Sequence, residues 1–399
     1  MKRWKAVGTR VLGALIVTAG LGMPGNAQVG TATPTVTPGE ASIPEAEEND
    51  VATLPPIGPH WAFITNWLRG GIRIVDGDSG KMLGMIHSAP FSDFAIDPAG
   101  AFFYVAETMW SRGNRGTRQD LLTIYDAHSL KIVSEIPLTG RLLIGNRPLN
   151  LSISPDGKYG FVYNLDPSTT IQVVNLVKRR LASSVEVPGC GLAIAGTGVS
   201  TASLCSDGSM ATIAYNSKSS GTPSRSPVFF SAEADPIFDN SFADRRSGKA
   251  IFLTYSGLIR EVSISATPVI GEPWSIQQAA GMPIVTTDAL LVNWLPGGRE
   301  PIAFNRKTGK AYILMHMGEY WSQKASGTEL WEVDVAARKI LRRKRLAKPI
   351  AAVAVTQDTN PVLMLVDEDD RLLVLDGETF EQKHEVANAG NGIIHVAGN

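Results

Sequence analysis

From His60 onward the sequence repeats itself. Ile72-Arg73-Ile74-Val75-Asp76 is followed by a turn and the run Lys81–Ile86, and Phe94-Ala95-Ile96-Asp97-Pro98 then leads to a fourth run over 101–105. The unit returns at Leu122-Thr123-Ile124-Tyr125-Asp126, Ile171-Gln172-Val173-Val174-Asn175, Leu330-Trp331-Glu332-Val333-Asp334 and Leu372-Leu373-Val374-Leu375-Asp376. Asp76 to Asp126 is 50 residues, Asp126 to Asn175 is 49, and Asp334 to Asp376 is 42. Short apolar runs joined by turns such as Ser154-Pro155-Asp156-Gly157 are strand signals, and four strands per roughly 40–50 residues is the period of a propeller blade. At about 48 residues per blade, residues 60–399 make about seven.

The expected fold is therefore all-β, a seven-bladed β-propeller over 60–399, with its pattern blurred between 209 and 316. A doubly wound α/β fold is the competing architecture, but no amphipathic helix of about 12 residues separates consecutive strand runs. Residues 372–399 supply too few strands for a full blade. The missing strand is expected from the start of the ring, near 62–66, so that both termini close it and no sheet edge is left open.

The N-terminal region differs from the body. Lys2, Arg3, Lys5 and Arg10 precede an apolar stretch over 11–23, and Gly25-Asn26-Ala27 offers small residues for cleavage before Gln28. This is the pattern of a secretory signal peptide over 1–27, with an uncleaved membrane anchor as the alternative. Its removal takes four basic and no acidic residues, so a chain of formal net charge −1 becomes mildly acidic, which disfavours nucleic acid or an anionic membrane as partner. Residues 28–59 are rich in Pro and Glu and hold no Lys or Arg. They read as an extended arm or linker.

Self-contained chemistry is hard to find. With 44% hydrophobic residues the chain is no disordered protein, and two cysteines are too few for a disulfide scaffold or a metal cluster. In an exported chain Cys190 and Cys205 read as one disulfide, the alternative being two free buried thiols. The six histidines are scattered without a metal-pair spacing, so no bound metal is expected. There is no phosphate loop and no nucleophile elbow. The string Ser111-Arg112-Gly113-Asn114-Arg115-Gly116-Thr117-Arg118-Gln119-Asp120 stands out. It is either a solvated loop or a docking surface, because guanidinium forks suit carboxylate-rich partners.

Several of these elements together resemble the heavy subunit of the tryptophan tryptophylquinone amine dehydrogenases, the methylamine and aromatic amine dehydrogenase family. The resemblance covers nearly all of 60–399. It is carried by Gly84-Met85-Ile86, by the Ser111–Asp120 arginine string, by Cys190 with Cys205-x-Asp207-Gly208, by Asp235-Pro236-Ile237-Phe238 and by Trp294-x-Pro296-Gly297-Gly298. It implies a periplasmic assembly of two heavy and two light subunits. The small, cysteine-rich light subunit carries the quinone cofactor and the catalytic base, so this chain is expected to hold no cofactor and no catalytic residue. Primary amines are oxidised to aldehyde and ammonia, and electrons pass to a blue copper protein or a cytochrome. The family's heavy chain places a Phe in the substrate channel just after the Gly-Met-Ile element. An ungapped count sets Pro90 at that place and Phe91 one residue on, so Phe91 is the channel candidate. Arg112, Arg115 and Arg118 are the candidates for the subunit interface. The eight tryptophans are expected to be core or interface residues. Two other classes remain open: a stand-alone periplasmic propeller that binds a ligand or protein, and a propeller enzyme with a metal in its central channel.

Overall fold

The computed structural model describes residues 53–141, 147–216, 219–288 and 290–398. The expected signal peptide and the arm up to residue 52 lie outside the described residues. The body is built almost wholly of antiparallel strands in six hydrogen-bonded sheets. The first joins Lys81–Ile86, Ile72–Asp76, Trp61–Thr65 and Ile394–Val396, and the second joins Asp93–Ile96, Phe102–Arg112, Arg115–Asp126 and Ile132–Pro137. The third runs from Leu151–Ile153 to Arg180–Glu186, the fourth is built on Cys190–Ala195, Ser200–Cys205 and Met210–Asn216, and the fifth on Phe242–Asp244, Lys249–Leu253 and Leu258–Ser263. The sixth is one continuous sheet of eight strands from Val292–Pro296 to Gln382–Val386. The innermost strands of successive sheets lie side by side, so the fold is an all-β propeller.

The expectation of seven blades is corrected in this respect: the structure has five separate blades, and the remaining strands form a single double-length sheet. The cause is Lys339–Val355. This strand is 17 residues long and passes without a break from pairing with Gly327–Asp334 to pairing with Val362–Asp367. The closure also differs from expectation. The termini do mix, but the C-terminal strand Ile394–Val396 completes the first blade by pairing with Trp61–Thr65, whereas the N-terminal strand was expected to complete the last.

Burial follows position in each sheet. Central strands such as Trp61–Thr65 and Val362–Asp367 are buried throughout, because a neighbouring sheet covers each face. Outer strands such as Lys81–Ile86 and Arg180–Glu186 are largely exposed. Apolar clusters fill the spaces between sheets. Phe63, Phe94 and Phe103 pack with ring centroids 5.1–5.6 Å apart between the first two blades, each worth about 1.5–3 kcal/mol of burial.

The Asp or Asn that ends each repeat has a defined task. Its side-chain oxygen accepts backbone N–H groups two or three residues on, which turns the chain toward the outer strand. Asp126 accepts from Ser129 at 2.7 Å, Asn175 from Lys178 at 2.7 Å, Asp334 from Ala337 at 2.8 Å and Asp376 from Thr379 at 2.9 Å. Four residues after each, the backbone enters the left-handed region, at Gly80, Leu130, Arg179, Arg338 and Phe380. A register shift precedes the Asp or Asn in each of these hairpins, as at Ile74/Val75 and Val173/Val174. The repeat seen in sequence is thus a repeated turn chemistry as much as a repeated apolar pattern.

Candidate functional site

One end of the ring is tied together by polar contacts that run from sheet to sheet. The Trp67 N–H donates to Asn391, Arg299 donates to the Gly392 carbonyl, and Asn240 donates to the Arg299 carbonyl. Arg147 pairs with Asp239 at 2.8 Å and Arg118 lies 3.9 Å from Asp166. Phe91 and the three arginines of the sequence expectation belong to this end.

Phe91 lies in the loop between the first and second blades. Its φ is 59°, a left-handed conformation that a phenylalanine adopts only under constraint. The constraints are visible. The Phe91 N–H donates to the Trp67 carbonyl at 2.8 Å, and its ring meets the Trp67 indole edge-on, 5.1 Å away at 87°. Its carbonyl accepts from Arg141 Nη2. The buried Glu107 carboxylate grips the same loop by accepting from the Ala89 N–H at 2.9 Å, and it also accepts from the Thr123 hydroxyl at 2.6 Å. The Tyr125 hydroxyl donates to the His87 carbonyl at 2.8 Å. Phe91 and Trp67 are both half-buried, so the aromatic pair is partly exposed to solvent.

The arginine string forms the tip of the hairpin Phe102–Arg112/Arg115–Asp126, the longest within the five separate blades. Arg112 and Arg115 face each other across the turn and both are exposed. Arg118 differs. It is half-buried, with its Nε 2.9 Å from Asp120 and its Nη2 donating to the Arg141 carbonyl at 2.8 Å. The string therefore offers two solvent-facing guanidiniums and one committed to the hairpin's own base.

A second aromatic group gathers at Asp235, the first residue of the Asp235–Phe238 element. Tyr320 donates to Asp235 at 3.0 Å and to the Ala234 carbonyl at 2.7 Å, and Asp235 also accepts from the Ser256 N–H and hydroxyl. Trp321, half exposed at 50%, stands edge-on to both Tyr320 and Tyr255. Burial and the nearby Asp235 carboxylate push the Tyr320 phenol well above its ordinary range, so it acts as a fixed donor.

The centre of the ring is narrow. Two cavities of 110 and 80 Å³ follow it, and His395 lines both. Burial lowers this imidazole to about 4, leaving it neutral, with Phe94 edge-on at 5.2 Å. Glu300 lines the smaller cavity, with its Oε2 accepting the Ile394 N–H at 3.0 Å. Among the described residues no three His, Cys, Asp or Glu side chains gather in a way that could hold a metal ion.

Cys190 and Cys205 stand opposite each other on adjacent strands and form a disulfide, both buried. Trp294 and Trp331 lie 5.9 Å apart, with Trp331 fully buried and Trp294 half-buried. The Arg343 guanidinium covers both rings, and the Trp331 Nε1–H donates to Glu329 at 2.8 Å. Asn150, which opens a formal glycosylation sequon, is 1% exposed and bonded to Asp93 at 3.1 Å.

The sequence did not single out Arg141, Asp93, Glu107 or Glu300. Each is an ordinary charged residue in sequence and becomes notable only by being buried.

The comparisons with known proteins follow the same outline. A solved structure of a functionally unknown protein from Desulfotomaculum acetoxidans aligns with a TM-score of 0.58 at 14% identity, covering 84% of this chain and 98% of the other. Hydrazine synthase of Kuenenia stuttgartiensis aligns at 0.55 and 12%, covering 82% and 95%. Both show the fold alone. Sequence similarity is more specific. The methylamine dehydrogenase heavy chain of Methylobacillus flagellatus is 28% identical over 304 residues, 76% of this chain and 74% of the relative. That of Methylophilus methylotrophus is 26% identical over 396 residues, 97% and 94%. The family model described as methylamine dehydrogenase heavy chain (MADH) matches residues 60–397, which is the ring from its first strand through its closing one. A match that spans the entire propeller places the chain in the methylamine dehydrogenase heavy chain family.

Proposed function

We propose that this chain is the scaffold subunit of a periplasmic quinoprotein amine dehydrogenase, which converts a primary amine and water to an aldehyde and ammonia, releases two protons and passes two electrons to a blue copper protein or a cytochrome. The observation that carries the reading is the match of the heavy-chain family to the whole ring. Tryptophan tryptophylquinone supplies the oxidising chemistry and belongs to the light subunit.

In this reading Phe91 and Trp67 form an apolar wall of the substrate channel, held at a set distance by the hydrogen bonds of the 87–93 loop. A preorganised wall excludes water and restricts the poses of a small amine, which is how a non-reacting residue contributes to rate. Arg112 and Arg115 are the exposed contacts for a cysteine-rich light subunit, and Arg118 stiffens the hairpin that presents them. No helix among the described residues is long and apolar enough to cross a membrane.

The test is co-expression with a light subunit from the same source. The lone chain should be folded, colourless and inactive, and the assembled complex should oxidise primary amines. Quinone absorbance in the lone chain, or a complex without amine oxidation, would sink the proposal.

A further inference from the structure

Arg141 follows the last strand of the second blade, and its side chain is 1% exposed. Nη2 donates to the Phe91 carbonyl and, at 2.7 Å, to Asp93 Oδ2, while Nη1 donates to the Thr108 hydroxyl at 3.2 Å. Thr108 in turn donates to Asp120, the carboxylate that also holds Arg118. One buried guanidinium therefore joins the 87–93 loop to the base of the arginine hairpin.

Stability alone is a poor account of this arrangement. A buried ion pair is often no better than well-packed apolar side chains of the same volume, and among the described residues Arg141 Nε has no hydrogen-bond partner. What the fork does fix is the carbonyl of a residue with φ at 59°. Such a conformation is strained and persists only where the surroundings over-determine it. The Trp67 carbonyl fixes the Phe91 N–H, and Arg141 fixes its C=O. With both ends of the residue held, the ring is confined to its place against Trp67.

We infer that Arg141 is a positioning residue that holds the Phe91 ring against Trp67 and thereby sets the size of amine accepted by the assembled enzyme. The inference rests on the reading of Phe91 as a channel wall, so its test must separate the two. Heavy subunits carrying Phe91→Ala, Arg141→Lys or both are assembled with the light subunit, and kcat/KM is measured for methylamine and for 2-phenylethylamine. Phe91→Ala should shift the ratio of the two values roughly 10- to 100-fold, the scale of a misplaced contact near reacting atoms. Arg141→Lys keeps the charge but loses the fork. It should shift the ratio in the same direction and add nothing in the Phe91→Ala background. A ratio unchanged by Arg141→Lys but moved by Phe91→Ala overturns the positioning role and leaves the wall reading intact. A ratio unmoved by Phe91→Ala overturns both. If Arg141→Lys does not assemble, Asp93→Asn, which removes the fork's charge partner, is read by the same criteria.

Discussion

Glu300 gives a prediction whose size can be worked from the structure. Its carboxyl is buried beside the central channel and spans to the ring-closing strand, where Oε2 accepts the Ile394 N–H at 3.0 Å. Burial is the dominant influence and raises the carboxyl. The Ile394 N–H and the neighbouring Arg299 oppose it, and the outcome is a carboxyl pushed up to about 8 from an ordinary 4.5. The folded protein thus holds this proton more tightly than the unfolded chain does. The stabilisation is complete below the unfolded value of 4.5 and is lost as pH rises through about 8. A midpoint moved that far corresponds to about 5 kcal/mol between the two ends of the range. Glu300→Gln keeps a carbonyl oxygen for Ile394 and has no charge to desolvate. Urea unfolding of the purified chain, followed by tryptophan fluorescence from about pH 5 to pH 9, should give stability curves for variant and parent that meet at the acid end. At the alkaline end they should separate by up to about 5 kcal/mol with the variant higher. Every other titrating group is shared and cancels in the difference. Parallel curves would refute the argument, because they would mean that Glu300 ionises without cost in the folded state.

Further outcomes follow from three separate parts of the molecule. Replacing Cys190 by Ser, or adding reductant to the parent, should lower stability by about 3 kcal/mol, the loop-closure value for a bridge of about 15 residues; a thermal midpoint indifferent to reductant would contradict it. Arg338→Gly should be neutral or slightly stabilising, within about 1 kcal/mol, because strain relief at an exposed left-handed residue offsets the entropy of glycine. Phe380→Gly, at the equivalent turn position, should cost about 3–5 kcal/mol, since that ring is buried under the Arg342 guanidinium; equal thermal midpoints for the two variants would break the distinction. Charge reversal at Arg112 and Arg115 should weaken co-purification with the light subunit while leaving the melting of the isolated chain unchanged. Arg118→Glu should lower that melting as well, because it sets a second carboxylate against Asp120.

The repeat determined the all-β propeller, because alternating apolar runs and Asp-led turns are local properties that a short stretch of chain declares by itself. Asp126, Asn175, Asp334 and Asp376 cap turns made within three residues of their own position. The arginine string and the cysteine pair were legible for the same reason: each is brought together by one hairpin or one pair of neighbouring strands. The number of separate blades was not legible, since nothing in the sequence of 339–355 says that one strand will serve two sheets. Nor were the clamp and the closure. Arg141 meets Phe91 across 50 residues and Asp93 across 48, and Glu300 meets Ile394 across 94. In sequence these are charges like any others. Only the closed ring removes them from water, and desolvation gives them partners, costs and, for Arg141, a role.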